Sequence, residues 1–147
     1  MKYTYDYPRP AVTADIIILK KIDTQQFVLL IERKHSPFAG MWALPGGFLN
    51  MDETLEVAAL RELQEETNIT GVALKQFHTF SKVNRDPRHR TITTVFIGNA
   101  DSNTLAPTAG DDAAKAEWFA LDKLPPLAFD HGEVMEMLKT KSEFTSL

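Results

Sequence analysis

Residues 52–67 constrain this chain more than any other stretch. Leu55, Ala59 and Leu63 recur at every fourth position with Leu60 beside them, the spacing of one apolar helix face. Asp52 and Thr54 are both placed to cap the start of this helix, and Gly71 lies just beyond its end. The charges are lopsided: Asp52, Glu53, Glu56, Glu62, Glu65 and Glu66 are opposed within the segment by Arg61 alone. Acids near Asp52 sit at the favourable positive end of the helix dipole. Glu62, Glu65 and Glu66 sit at the wrong end, at a cost of roughly 0.3–1 kcal/mol each.

A helix that accumulates anions where they are disfavoured needs a compensating partner. At about 100° per residue, Glu62 and Glu66 fall within about 20° of Leu55. They therefore flank the apolar stripe instead of pointing into open solvent. As an i,i+4 pair they also repel each other, by roughly 0.2–0.5 kcal/mol. One arginine does not balance three carboxylates, whereas a hard divalent cation would, because Mg²⁺ and Mn²⁺ prefer carboxylate oxygens. From the charges alone, a solvated acidic face is an equal reading. The preceding Leu44-Pro45-Gly46-Gly47 tips the balance toward a site, since glycine lets bare backbone approach a ligand.

The rest of the chain supplies strands. Residues 12–19 and 27–31 are apolar and β-branched, joined by a turn at Asp23-Thr24-Gln25. Residues 35–41 read as a loop and 42–44 as a short extended piece that Pro45-Gly46-Gly47 stops. Residues 72–80, 91–97 and 116–120 read as further strands, with a loop at 100–112. A closing helix over 131–140 takes Asp130 as its N-cap. Elements mixed without strict alternation predict an α/β or α+β sandwich. The length of 147 residues suits a single domain over 1–147. The chain has no cysteine, which excludes thiolate metal sites and fits a cytoplasmic location. The N-terminus has no basic stretch followed by an apolar run, and no segment approaches the ~20 apolar residues of a membrane span. A net charge of −4 does not favour a nucleic-acid polymer as partner. Lys82, Arg85, Arg88, His89 and Arg90 nevertheless cluster, either as a solvated hairpin loop or as a phosphate-binding loop.

Gly47, Glu53, Arg61-Glu62-Leu63-Gln64-Glu65-Glu66 and Thr67-Asn68-Ile69, at these spacings, resemble the Nudix box. Six fixed residues match, from Gly47 to Glu66. At about 6% frequency each, that is a chance of about one in twenty million windows. The box normally has glycine where this chain has Asn68, the next-best residue for a left-handed helix cap. Asn68→Gly is accordingly expected to be near neutral or mildly stabilising. Beyond the box, Arg9-Pro10 leading into Val12 to Asp15, Trp42 to Phe48, Arg85-Asp86-Pro87-Arg88, Gly110 to Ala114, Trp118-Phe119 and Leu124 to His131 resemble the ADP-ribose pyrophosphatase branch.

The resemblance implies an α/β/α sandwich with a mixed sheet, the box forming a loop–helix–loop. It implies Glu62, Glu65 and Glu66 as metal ligands, with the Gly46 carbonyl adding to them, and Mg²⁺ or Mn²⁺ as the ion. Glu53 and Arg61 become the ion pair that fixes the loop. A metal-activated water would attack a diphosphate phosphorus. Its base is left open between Glu65, Glu66 and an acid outside the box, for which Asp111, Asp112 and Glu117 are candidates. For each of these three a solvated loop or strand-edge acid is the stronger reading. Arg33, Arg85, Arg88, Gly47 and Phe48 are candidates for holding substrate, while Arg33, Arg85 and Arg88 also suit surface pairing. Phe38, Phe48 and Phe80 are candidates to stack an adenine, and Trp42 reads as core. His131 beside Asp130 reads as a capping and surface residue. The expected reaction is ADP-ribose to AMP and ribose 5-phosphate, in a homodimer. The alternatives are a nucleoside triphosphate pyrophosphohydrolase, including one acting on oxidised nucleotides, and a non-catalytic ADP-ribose sensor. Sensors of that kind usually carry a DNA-binding extension, for which this chain is expected to have no room.

Overall fold

A strand that is apolar at successive positions has to be covered on both faces. Strand β1 (Ala11–Ile22) carries such a run, and Ile16, Ile17, Ile18 and Leu19 are all fully buried. The computed structural model describes residues 2–101, 104, 106–110 and 113–141. After β1 come β2 (Gln25–Arg33), β3 (Trp42–Ala43) and β4 (Gly46–Phe48). Helix α1 (Leu55–Thr67), β5 (Lys75–Phe80), β6 (Thr91–Asn99), β7 (Ala113–Ala120) and α2 (His131–Thr140) follow.

The sheet runs β3-β2-β1-β6-β5, with β4 also pairing β1 and β7 also pairing β2. β1 and β6 are parallel, and the other pairings are antiparallel. Side chains alternate between its faces with a period of two. Ile16, Ile18, Leu29 and Phe96 pack on Ala58, Ala59 and Leu63 of α1. Ile17, Leu19, Val28, Leu30 and Val95 pack on Val134, Met135 and Leu138 of α2. One helix therefore covers each face, and the expected mixed-sheet sandwich is the fold observed. Leu63 is 1% exposed, and burying a leucine contributes roughly 1.5–3 kcal/mol. Among the described residues no helix is long and apolar enough to cross a membrane.

Of the two capping candidates, Thr54 caps α1: its Oγ1 accepts the Val57 N–H at 3.2 Å. Asn68 ends the helix at φ 61, ψ 16, the left-handed conformation expected of it, and its N–H returns to the Gln64 carbonyl. The segment before β7 then clips onto this helix end. Thr108 N–H donates to Thr67 O and Gly110 N–H to Glu66 O, each at 2.9 Å, satisfying carbonyls that a helix C-terminus leaves open. Asn68 Nδ2 adds hydrogen bonds to Thr108 O and Thr108 Oγ1, at 3.0 and 2.6 Å. A Cβ on Gly110 would lie 1.6 Å from the Glu65 carbonyl oxygen, so the close approach requires glycine.

Two expectations need correcting. The Pro-Gly-Gly stretch was expected to end extended structure, yet Gly46 and Gly47 form β4 against β1. Asp130 stands at the N-cap of α2, but its side chain makes no capping hydrogen bond, because both its oxygens are held by Arg85.

Candidate active site

The alternation of an antiparallel ladder decides where the glycine backbone points. Ile16 N–H donates to Pro45 O and Leu49 N–H to Val12 O, which places Gly46 and Phe48 at the positions whose backbone groups turn away from β1. They turn toward α1. The Gly46 N–H donates to Glu66 Oε1 at 2.8 Å, and the Phe48 carbonyl accepts from Arg61 Nη2 at 3.0 Å. The Gly46 carbonyl is directed to the same side. A Cβ at Gly47 would meet the Glu62 carboxyl carbon at 2.5 Å, so glycine leaves room there for that carboxylate.

Arg61 ties the acids together. Its Nε and Nη2 bind Glu53, while its Nη1 reaches Glu62 Oε1 at 2.7 Å and Glu65 Oε2 at 3.2 Å. Hydrogen bonds from Arg61 push the Glu53 carboxyl down to about 2. Glu53 Oε1 also accepts the Asn50 N–H at 2.9 Å, so the pair pins the loop ahead of the helix. Burial raises the Glu62 pKa above the usual carboxylate range despite its contact with Arg61. Glu66 is buried and Glu65 half exposed, as the helical wheel requires.

Of these groups Gly46, Arg61, Glu62 and Glu66 line a cavity of about 440 Å³, whereas Glu53 and Glu65 do not. The cavity wall also carries cationic and aromatic side chains. The Arg88 guanidinium lies 5.3 Å from the Phe48 ring and 5.5 Å from the Phe129 ring, distances suited to cation–π contact. Arg33 lies 4.9 Å from Phe129 on the same wall, with its Nε donating to Pro37 O. Phe129 sits at φ 53, a strained conformation for an aromatic residue. The cavity thus holds groups that suit a cation together with groups that suit anions and flat rings.

Not every candidate converges here in a free state. The basic loop divides its side chains. Arg85 also lines the cavity but is 7% exposed and doubly bound to Asp130, at 2.8 and 2.9 Å. Arg88 reaches the cavity wall with Asp86 as its partner, and Lys82 extends to Glu133. Glu117 is exposed on β7 opposite Leu30, on the face that α2 covers, and does not line the cavity. Asp111 and Asp112 lie outside the described residues. Phe38 stands edge-on to Phe129 at 4.9 Å, and Phe80 and Trp42 pack against the α2-side core, Trp42 4.7 Å from Phe119. His131, expected at the surface, is 3% exposed, because its ring turns inward to the Leu44 amide. Asp15 and Phe129 also line the cavity. The sequence placed both inside segments that resemble the ADP-ribose pyrophosphatase branch but named neither as a site residue.

Among the described residues, no three acidic or histidine side chains are gathered into a ready-made metal cage. Arg61 occupies the faces of Glu62 and Glu65 that an ion would use. The donors themselves fit a hard divalent cation: carboxylate oxygens on one helix face, a backbone carbonyl beside them, and a glycine gap at Gly47 that keeps Glu62 close.

A family model described as the NUDIX domain matches residues 9–138. This chain belongs to the Nudix hydrolase family. The Nudix domain here is 44% identical over 130 residues to an ADP-ribose pyrophosphatase of Methanocaldococcus jannaschii, spanning 88% of this chain and 73% of that protein. It is 31% identical over 150 residues to an ADPR responsive transcriptional repressor of Acinetobacter baylyi. That match spans 97% of this chain but 60% of the repressor. Its backbone matches the Nudix domain of Shewanella oneidensis NrtR, solved in complex with ADP ribose, at a TM-score of 0.85 and 30% identity, covering 93% of each chain.

Proposed function

We propose that this Nudix hydrolase cleaves the diphosphate of ADP-ribose, releasing AMP and ribose 5-phosphate, and that it requires Mg²⁺ or Mn²⁺ to do so. One observation carries the reading: a single cavity is lined by Glu62, Glu66 and Gly46 together with Arg33, Arg88, Phe48 and Phe129. A dinucleotide-like diphosphate has both complements, a polyanionic centre and a flat base. The similarity to the archaeal pyrophosphatase and to the ADP-ribose-bound domain supports the same substrate.

In this reading Glu62, Glu65, Glu66 and the Gly46 carbonyl hold the ion. When bound, it supplies charge neutralisation on the phosphoryl oxygens and a lowered pKa for water. Glu53 and Arg61 keep the loop and helix in register. Arg88 and Arg33 orient the diphosphate, and Phe48 offers its exposed ring to the base. Glu65 or Glu66 takes up the water's proton, and of the two Glu66 lines the cavity. Water adds to phosphorus, the bridging P–O bond breaks, and the leaving phosphate takes the electron pair. The reading also includes a homodimer in the cytoplasm, carried over from the family resemblance and the cysteine-free composition. A sedimentation measurement checks the oligomer.

The decisive assay gives the purified protein Mg²⁺ with ADP-ribose, nucleoside triphosphates or other nucleoside diphosphate derivatives, beside an EDTA control. AMP from ADP-ribose alone, abolished by EDTA, is the expected result. Turnover of triphosphates instead overturns the substrate. Binding of ADP-ribose without turnover overturns the catalytic assignment in favour of a sensor.

A further inference from the structure

Asp15 and His131 line the same cavity as Glu66 and Gly46, and the mechanism above gives neither a task. Both are buried: His131 is 3% and Asp15 8% exposed. His131 Nδ1 accepts the Leu44 N–H at 3.0 Å. A ring nitrogen that accepts carries no proton, so Nε2 is the protonated one. Nε2 faces Asp15 Oδ2 at 3.7 Å, and the same oxygen accepts from Thr93 Oγ1 at 2.7 Å. Asp15 faces the ring on one side, and the ring holds the Leu44 amide on the other.

Both members bear on the same three residues. Leu44 is 2% exposed, so its N–H has no water to replace the imidazole, and losing the acceptor strands a buried donor. The Pro45 carbonyl is taken by Ile16 N–H at 2.8 Å. At Gly46, a Cβ would lie 2.1 Å from Asp15 Oδ1, so the carboxylate occupies the place of the missing side chain. The other side of Gly46 donates to Glu66. The backbone that meets the box glutamate is therefore held from behind by a buried acid and a histidine from the far end of the chain.

We propose that Asp15 and His131 are a positioning pair, which fixes residues 44–46 so that Gly46 meets Glu66 in register. This rests on the assignment of Gly46 and Glu66 to the site. The test separates the two nitrogens of the ring. In His131→Asn, the side-chain oxygen sits where Nδ1 was and still accepts from Leu44. In His131→Gln, the amide reaches the Nε2 position and leaves Leu44 without an acceptor. Amide hydrogen exchange in metal-free protein, Mn²⁺ titration and steady-state kinetics are measured on all three proteins. His131→Asn is expected to keep Leu44 protected and kcat within about threefold, and His131→Gln to expose the Leu44 amide while Ile17 and Leu30 stay protected. For His131→Gln, Mn²⁺ binding weakens and kcat falls about tenfold to a hundredfold with KM little changed, the scale of a slightly misplaced reacting group. Equal behaviour of the two variants in Leu44 exchange, or exposure spread evenly over the core amides, overturns the proposal. If the wild-type protein turns over no substrate, the functional reading fails, while amide exchange and Mn²⁺ binding still decide the positioning.

Discussion

At Glu66, three roles meet in one side chain: it accepts the Gly46 N–H, it lies at the buried edge of α1, and it faces the cavity. Glu66→Gln keeps the shape and can still accept that hydrogen bond but loses the charge. Turnover is expected to fall roughly a hundredfold or more, the scale of removing a charge contact made in the transition state, with circular dichroism and melting near wild type. An unchanged kcat would remove Glu66 from the chemistry. At Asn68 the structure modifies the expectation from sequence. Glycine would relieve the left-handed backbone, but it would also lose the side-chain hydrogen bonds to Thr108. These terms oppose each other at about 1 kcal/mol each. Asn68→Gly is therefore expected within about 1 kcal/mol of wild type and no longer stabilising. Asn68→Ala loses on both counts, by about 1–2 kcal/mol. Urea denaturation of the two variants checks the order.

At the scale of elements, the clip of residues 108–110 on α1 joins a loop to a helix through backbone alone. Gly110→Ala drives a methyl into the Glu65 carbonyl, a backbone atom that has no rotamer to yield. A loss of about 1–3 kcal/mol is expected in chemical denaturation, typical of overpacking. A variant as stable as wild type would mean that the clip is easily released. The elements also mark where sequence reading stops. Helix α1 was legible to its left-handed cap because every signal in it is local: period, cap, charge order. β4 was hidden, since Gly46-Gly47 carries the marks of a turn and its pairing comes from Thr13 to Asp15 far upstream. Arg85 looked available for phosphate because its partner Asp130 is 45 positions away. His131 looked superficial because the amide that claims it is 87 positions away. Local patterns report an element's own preferences; they do not report which distant side chain will desolvate a charge.

For the whole molecule, charge arrangement sets the response to acid and to metal. Arg88 holds the Asp86 carboxyl below its ordinary range against the effect of burial. A depressed folded-state pKa stabilises above the unfolded value of about 4 and loses that contribution as pH falls through the folded value. Asp86→Asn is thus expected to be less stable than wild type at neutral pH, with the gap closing below about pH 4. A gap that widens in acid would contradict the pairing. Mn²⁺ or Mg²⁺ should raise the melting temperature of the wild-type protein and much less that of Glu62→Gln, since an ion bound by the folded state alone stabilises by mass action, about 2.7 kcal/mol at a hundred times its Kd. Equal shifts in the two proteins would place the ion elsewhere. The grip of Arg61 gives this loading a particular character. Its Nε and Nη2 serve Glu53 and the Phe48 carbonyl, and Nη1 alone touches Glu62 and Glu65. In the proposed site, uptake of an ion would exchange this one N–H donor for a cation, while Nε and Nη2 keep their hold on Glu53 and the Phe48 carbonyl.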